Sequence, residues 1–237
     1  MAQNTFNVAV TGNAPFMEFD YNTSWLVRDA LPNSMKRLGK KDIRIMKYAR
    51  ITHGTYEDVR RVSKEIWGGQ RSLFLPEPQS GENDTTVDID MILHLGMVAL
   101  GWRTDQFRFE KLARRDGYKL PGDDGKYIDS EGLEKLGLPE SIATIFDVKA
   151  AWVKVHQAFP DTPAVVSEDA GLYFCEFRMY SSLAEPLVSE GIQEKSGRVI
   201  FVHLPQAHDD GAISLARDIT ATYIAGLVDA FVEQNGE

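Results

Sequence analysis

The 237-residue sequence has almost no cysteine and no long apolar run. Cys175 is the single cysteine, so the chain forms no internal disulfide and its stability comes from packing. A reducing cytoplasm is the compartment expected for such a chain. No stretch approaches the roughly 18 apolar residues of a membrane span, and the first ten residues do not resemble a secretory signal. These absences predict a cytoplasmic protein that does not bind membranes.

Sequence patterns for common cofactors are missing as well. No group of cysteines and histidines has zinc-binding spacing, and no glycine-rich phosphate fingerprint follows the first apolar run. Asp123, Asp124 and Gly125 fall far short of a calcium-binding loop and predict a turn. We expect neither a metal nor another cofactor. The 26 basic and 35 acidic residues give a net charge of −9, which argues against nucleic-acid binding because it would repel phosphate backbones.

Apolar runs alternate with helical patterns along the chain. Short apolar runs predict strands at residues 6–10, 42–48, 87–95, 107–110, 163–167 and 198–204. Helical spacing predicts helices at residues 23–31, 56–67, 141–159, 172–185 and 212–232, and residues 68–86 and 116–125 look like loops. Strands that alternate with helices indicate an α/β fold with a mostly parallel sheet covered on both faces. The length and the 43% hydrophobic content suit one domain over residues 1–237.

Cys175 has the sequence context of a reactive thiol. The predicted strand at 163–167 is followed by a turn containing Gly171 and then by an apolar helix, so Cys175 lies in the first helical turn. Unpaired N–H groups and the positive end of the helix dipole lower the pKa of a thiol there, and they favour an oxyanion nearby. A buried, inert cysteine is the alternative, and it is the commoner fate of a lone cysteine.

A nucleophilic cysteine needs a base, and His203 is the best placed of the five histidines. It closes the apolar strand at residues 198–204, at the edge where open α/β folds build their sites. The alternative is a histidine that merely ends a strand. His94 lies inside the most apolar strand, which predicts a hydrogen-bonded core residue. Glu110 follows an alternating apolar segment, but the charged stretch after it favours a solvated carboxylate when sequence alone is considered.

Several short motifs occur in an order that resembles one known family. They are Val8-Ala9-Val10-Thr11-Gly12, Pro15-Phe16, His94-Leu95-Gly96-Met97, Glu110, Gly117-Tyr118-Lys119, Ser167 to Cys175, Tyr180-Ser181-Ser182-Leu183 and Phe201-Val202-His203-Leu204-Pro205. Together they resemble pyroglutamyl peptidase I, a family of cysteine omega-peptidases, and its eukaryotic, fungal-like branch more than the bacterial one. The resemblance runs from about residue 6 to the C-terminal helix.

The resemblance implies a fold, an activity and a triad. The fold is a three-layer α/β/α sandwich with a mostly parallel mixed sheet, and the activity is removal of N-terminal pyroglutamate from small peptides without metal or cofactor. Cys175 matches the nucleophile, His203 the general base and Glu110 the carboxylate that orients the histidine. This thiol protease scheme passes through a thioester that water cleaves.

The chain also departs from the family pattern at the substrate. Phe16 keeps the place of an aromatic that packs on the lactam ring, whereas Asn13 replaces a second aromatic of that loop. Bacterial members have an arginine after the glutamate that assists the oxyanion, and Lys119 lies near that place. Two alternatives stay open: a cysteine hydrolase acting on another small acyl or amide group, and a non-catalytic peptide-binding relative. The sequence does not decide between a monomer and a homo-oligomer.

Overall fold

The fold is built on one mixed sheet. The computed structural model describes residues 5–15, 19–78, 85–98 and 101–236. The strands, in chain order, are β1 (Thr5–Thr11), β2 (Ser34–Met35), β3 (Asp42–Tyr48), β4 (Phe74–Leu75), β5 (Met91–Met97), β6 (Phe107–Glu110), β7 (Leu112–Arg114), β8 (Ser141–Ala143), β9 (Ala164–Ser167) and β10 (Val199–Leu204). The helices are α1 (Thr23–Ala30), α2 (Tyr56–Trp67), α3 (Ser130–Lys135), α4 (Val148–Ala158), α5 (Phe174–Val188) and α6 (Asp210–Asn235).

Eight strands form the main sheet in the order β2-β3-β1-β5-β10-β6-β9, and β4 also pairs with β3. Strands β3, β1, β5 and β10 run parallel, so their carboxyl ends share one edge. Strand β6 is antiparallel to β10, and β9 runs parallel to β6. The order matters for function because it places β6, β5 and β10 side by side. The predicted mostly parallel mixed sheet is confirmed.

Helices cover both faces of the sheet, which makes three layers. Helices α1, α4 and α6 bury one apolar face of the sheet, and α2 and α5 bury the other. The inner strands are apolar on both sides, as expected when both faces are covered. None of the helices in the described ranges is both long and apolar enough to span a membrane. The predicted α/β/α sandwich is therefore the observed fold.

Most predicted elements appear close to their expected bounds, and two were wrong in detail. Residues 42–48, 56–67 and 107–110 match β3, α2 and β6. The helix predicted at 141–159 begins only at Val148, because Asp147 caps it by accepting a hydrogen bond from the backbone N–H of Ala150. Its first residues form β8 instead, which pairs with β7. The strand predicted at 87–95 begins at Met91. The β7–β8 pair and α3, which lies between these two strands in the chain, were not predicted.

Candidate active site

Cys175 is the second residue of α5, so the predicted first-turn position is confirmed. Tyr173 precedes the helix and offers no side-chain cap, and the N–H of Phe177 is the first to bond within the helix, to the carbonyl of Tyr173. The backbone N–H groups before it have no helical partner. The half-buried thiol therefore lies against the positive end of a helix.

The turn before α5 is held in an unusual backbone conformation. Gly171 has a φ of 98° and Leu172 a φ of 46°, and the second value is uncommon for a residue with a side chain. The N–H of Leu172 donates to Glu176 Oε2 at 2.7 Å, which fixes the turn to the helix it precedes. The chain can therefore reverse sharply from β9 into α5 and present Cys175 at the edge of the sheet.

Glu176 joins this turn to the β7 strand. Its side chain is buried, and Oε1 accepts hydrogen bonds from Arg114 Nε at 2.6 Å and from the backbone N–H of Arg114 at 3.0 Å. Arg114 Nη2 also bonds with Asp169 and with Glu176 Oε2. The buried carboxylate is thus paired and satisfied, as a charge in the interior must be. The Glu176 carboxylate accepts four hydrogen bonds, three from Arg114 on β7 and one from the Leu172 N–H in the turn. These bonds fix the position of the first turn of α5.

His203 and Glu110 meet where β10 lies next to β6. Both side chains are buried, and His203 Nδ1 lies 3.0 Å from Glu110 Oε1. Because an ionised carboxylate only accepts hydrogen bonds, Nδ1 is the donor, and Nε2 remains for another partner. The prediction that His203 closes a strand at this edge is confirmed.

The pKa of His203 depends on Cys175 as well as on Glu110. Burial by itself would lower this pKa, but the neighbouring Cys175 thiol and the hydrogen bond and charge of Glu110 together raise it to about 9. His203 therefore carries a proton at neutral pH and stands between an acidic group on each side. This is the arrangement of a thiolate–imidazolium pair oriented by a carboxylate.

The solvated carboxylate that sequence alone favours for Glu110 is wrong. Glu110 is buried because it pairs across the antiparallel ladder with Phe201 of β10, so its side chain points into the sheet-helix interior. Arg108 Nε approaches Glu110 Oε1 at 3.3 Å, while Nη2 of the same arginine donates to Ser167 Oγ at 2.8 Å. The carboxylate is held at the end of β6 by a neighbouring strand and a neighbouring arginine.

Gly96 makes room for the thiol. It lies beside His203 in the β5–β10 ladder. A Cβ at this position would stand 3.1 Å from Cys175 Sγ and 2.7 Å from the ring of Phe201. Only a residue without a side chain lets α5 approach the sheet this closely, which brings the thiol over the strand that flanks His203.

A cavity of about 200 Å³ opens onto these residues. Its size suits one small acyl group better than an extended peptide, since pockets for drug-sized ligands have volumes of roughly 300–1,000 Å³. The lining residues are Asn13, Ala14, Pro15, Asn22, Thr52, His53, Gly54, Met97, Trp102, Asp123, Ala170, Gly171, Tyr173, Phe174, Cys175, Arg178 and His203. Apolar and aromatic side chains share the cavity with a few polar groups.

Of the three residues predicted to bind substrate, Asn13, Lys119 and Phe16, one is found in the cavity. Asn13 lines the cavity, with Nδ2 donating to the carbonyl of Leu95 at 3.3 Å and Oδ1 accepting from Thr52 Oγ1 at 3.0 Å. Lys119 is exposed and is not among the residues that line the cavity, so the structure does not bring it to Cys175. Phe16 lies outside the described residues.

Two cavity residues were missed by sequence reasoning. Trp102 packs edge-on against the ring of His203 at a centroid distance of 4.9 Å, and the guanidinium of Arg108 lies 4.1 Å from the Trp102 ring centre. No local pattern marks Trp102, because it comes from a loop. Arg178 lies three residues after Cys175 on α5, so helical spacing could have placed it on the same face.

His94 fulfils its prediction as a core histidine. It is fully buried, with Nδ1 at 2.7 Å from Thr11 Oγ1 and Nε2 at 2.9 Å from Ser182 Oγ. Burial, reinforced by the charge of Arg178, holds its pKa well below the usual range, so the ring is neutral. In the described part of the chain, no group of three or more His, Cys, Asp or Glu side chains could hold a metal ion.

The sequence of the chain is similar to those of known pyroglutamyl peptidases. No family model matches the chain. Human pyroglutamyl-peptidase 1 is 27% identical over 198 residues, which cover 84% of this chain and 78% of the human protein. Pyrrolidone-carboxylate peptidase from Pyrococcus furiosus is 32% identical over 87 residues, or 37% of this chain and 38% of that protein. The resemblance to pyroglutamyl peptidase I is confirmed.

The solved structures agree with it at the level of the fold. Pyrrolidone carboxyl peptidase from Thermococcus litoralis superposes with a TM-score of 0.69 at 16% identity, covering 97% of this chain and 96% of that one. Pyroglutamyl peptidase I from Bacillus amyloliquefaciens gives a TM-score of 0.66 at 18% identity, over 94% of this chain and 95% of that one. At such low identity these superpositions establish the shared α/β/α fold. The fungal-like branch stays a prediction.

Proposed function

We propose that this protein is a cysteine omega-peptidase that removes N-terminal pyroglutamate from small peptides. The observation that carries the proposal is the position of His203, which bonds to Glu110 through Nδ1 and interacts with Cys175. The human and archaeal relatives are named for this activity. We propose the cytoplasm as its compartment, on the ground that the chain has one cysteine and that this cysteine has to stay reduced.

The first half of the reaction forms a thioester. The Cys175 thiolate attacks the carbonyl carbon that joins pyroglutamate to the next residue, and the carbonyl oxygen becomes an oxyanion. The N–H groups at the start of α5, which have no helical partner, are donors of the kind that stabilises such an oxyanion. His203 then donates its proton to the departing amine, the carbon–nitrogen bond breaks, and the shortened peptide leaves with a free amino terminus.

The second half releases pyroglutamate. His203, now neutral, accepts a proton from a water molecule while the water oxygen attacks the thioester carbon. Collapse of the second oxyanion breaks the carbon–sulfur bond and returns the thiolate to Cys175. Glu110 stays ionised throughout and stabilises the imidazolium each time it forms. Trp102 and Tyr173 supply apolar surface beside the reacting group.

The decisive test is hydrolysis of a fluorogenic L-pyroglutamyl amide by the wild type and by Cys175→Ala and His203→Gln. We expect turnover by the wild type and a loss of at least a thousandfold in either variant. His156→Gln, a change to an exposed histidine on α4, is the matched control and should leave the rate unchanged. An L-prolyl amide with the same dye should not react, because it lacks the lactam carbonyl. Absence of pyroglutamyl turnover by a folded wild type would overturn the proposal.

A second candidate is a cysteine hydrolase with the same mechanism and another small acyl substrate. Asn13 favours it, because a fixed amide lines the cavity where the family places an aromatic ring. A polar group there suits a more polar acyl group than the lactam ring. Rapid iodoacetamide labelling of Cys175 without pyroglutamyl turnover, followed by turnover of another acyl amide, would favour this candidate.

A further inference from the structure

Arg178 is an unusual residue for the interior of a protein. Only 2% of its surface is exposed, and its Nε and Nη1 are buried with no hydrogen-bond partner. No carboxylate in the described ranges forms an ion pair with it. A buried charge without a partner is strongly unfavourable, so its retention calls for an explanation.

The position of Arg178 suggests what its charge acts on. It lies three residues after Cys175 on α5, about one helical turn away, and both residues line the same cavity. Asp58 on α2, the carboxylate whose charge also acts on Arg178, is already bound to Arg61 and to the backbone N–H of His53. The Cys175 thiolate is therefore the anion that the guanidinium can face without losing another contact.

The charges of the buried site lead to the same conclusion. Glu110 supplies one negative charge, which protonated His203 faces across a 3.0 Å hydrogen bond and which Arg108 Nε approaches at 3.3 Å. The buried Arg178 adds a further positive charge that no carboxylate of the described residues pairs with. Ionisation of Cys175 reduces this excess of positive charge, so a positive charge at position 178 favours the thiolate over the thiol.

We propose that Arg178 is a positioning residue that keeps Cys175 in the thiolate form. The inference rests on the proposed function in so far as Cys175 is the nucleophile of that reaction. Burial lowers the pKa of Arg178 to about 10 against the opposing effect of Cys175, so the guanidinium is charged at neutral pH.

Other titratable or charged groups face Cys175 or Arg178 from each packed element. They are His203 on β10, Glu110 on β6, His94 on β5, Tyr48 on β3, Asp58 and Arg61 on α2, and Tyr173 and Asp123 in loops. His94 is neutral, and the Tyr48 hydroxyl donates to Glu65. His94 and Tyr48 therefore do not supply a charge to the thiol. Arg178 is the buried cation, besides His203, that acts on it.

The test measures iodoacetamide alkylation of Cys175 as a function of pH. Cys175 is the single cysteine, so the rate of thiol loss reports this residue alone. We expect Arg178→Met to raise the midpoint of the alkylation profile by about one pH unit, which means about tenfold slower alkylation below the midpoint. Arg178→Lys should restore most of the shift because it restores the charge. Arg217→Met removes a half-buried arginine of α6 that pairs with Asp218 and is not among the residues lining the cavity, and it should leave the midpoint unchanged.

Two results would overturn the proposal. One is a folded Arg178→Met protein with the wild-type profile, and the other is an Arg178→Lys profile that matches the methionine variant. If Arg178→Met does not fold, Arg178→Gln is compared with Arg178→Lys, and equal midpoints overturn the proposal. Alkylation needs no peptide, so a midpoint shift without pyroglutamyl turnover rejects only the proposed substrate. Turnover that depends on Cys175, with no midpoint shift, rejects only the role of Arg178.

Discussion

His203 Nδ1 donates to Glu110 Oε1 over 3.0 Å, where strand β10 lies antiparallel to β6. The two residues are 93 positions apart in the sequence. Their contact fixes the ring so that Nε2 is left for Cys175, and it stabilises the imidazolium that the proposed reaction requires. The orientation of the His203 ring therefore depends on the Glu110 carboxylate. The position of Glu110 depends in turn on the pairing of β6 with β10.

The first prediction concerns pH. The pKa of His203 is raised to about 9, so the ring is protonated at neutral pH and loses its proton as the pH rises through about 9. The proposed activity should therefore decline above about pH 9, because deprotonated His203 can no longer donate a proton to the leaving amine. Glu110→Gln should shift that decline to lower pH. It should also slow turnover by about tenfold to a hundredfold, the value of a charge-assisted hydrogen bond of about 1.5–3 kcal/mol.

The measurement is kcat/KM for a pyroglutamyl amide across the alkaline range. Asp105→Asn, which alters an exposed carboxylate just before β6, serves as the control and should leave the profile in place. An unchanged alkaline limb in Glu110→Gln would show that the carboxylate does not control His203.

The second prediction concerns Gly96. Alanine at this position would meet the Phe201 ring at 2.7 Å and Cys175 Sγ at 3.1 Å, so α5 or the ring must move. We expect Gly96→Ala to destabilise the fold by about 1–3 kcal/mol and to lower turnover by about tenfold or more. Urea unfolding and turnover measure the two effects. Gly211→Ala, in the exposed first turn of α6, should retain wild-type turnover and change the free energy of unfolding by less than about 1 kcal/mol.

The third prediction concerns Glu176, which holds the turn before Cys175. Removal of its carboxylate leaves Arg114 without its buried partner and the Leu172 N–H without an acceptor. We expect Glu176→Ala to lower the free energy of unfolding by about 2 kcal/mol, because the Leu172 N–H loses its acceptor and the partly exposed Arg114 keeps only its pair with Asp169. Glu168→Ala breaks an exposed pair with Lys111 in the same region and should change it by less than about 1 kcal/mol. Equal losses in urea unfolding would contradict the assigned role of Glu176.

The fourth prediction concerns Trp102. Its ring packs edge-on against His203, between Arg108 and the turn at Gly171. Aromatic pairs contribute about 0.5–1.5 kcal/mol beyond their buried area, so Trp102→Ala should lower kcat/KM by about tenfold. Trp102→Phe should lose less. Trp152→Phe on α4 is the matched change away from the cavity and should retain wild-type kcat/KM. A Trp102→Ala variant with full activity would show that the ring does not position His203.

The sequence by itself determined the elements that place the nucleophile and the base. Apolar runs and helical spacing are local, and so is the glycine in the turn before α5. These local signals were enough to predict that Cys175 begins a helix and that His203 ends a strand. The order of motifs supplied the resemblance, the fold class and the assignment of Glu110.

Only the tertiary structure decided what surrounds those two residues. Glu110 is buried because β6 pairs antiparallel with β10, and local sequence does not encode which strands become neighbours. Gly96 matters because α5 crosses β5 at that point, and Trp102 reaches His203 from a loop. Packing buries Arg178 in the cavity that also contains Cys175, and the proposed effect of its charge on the thiol depends on that burial. Contacts between distant segments depend on the packed fold, so the reactive state of Cys175 is a property of the assembled layers.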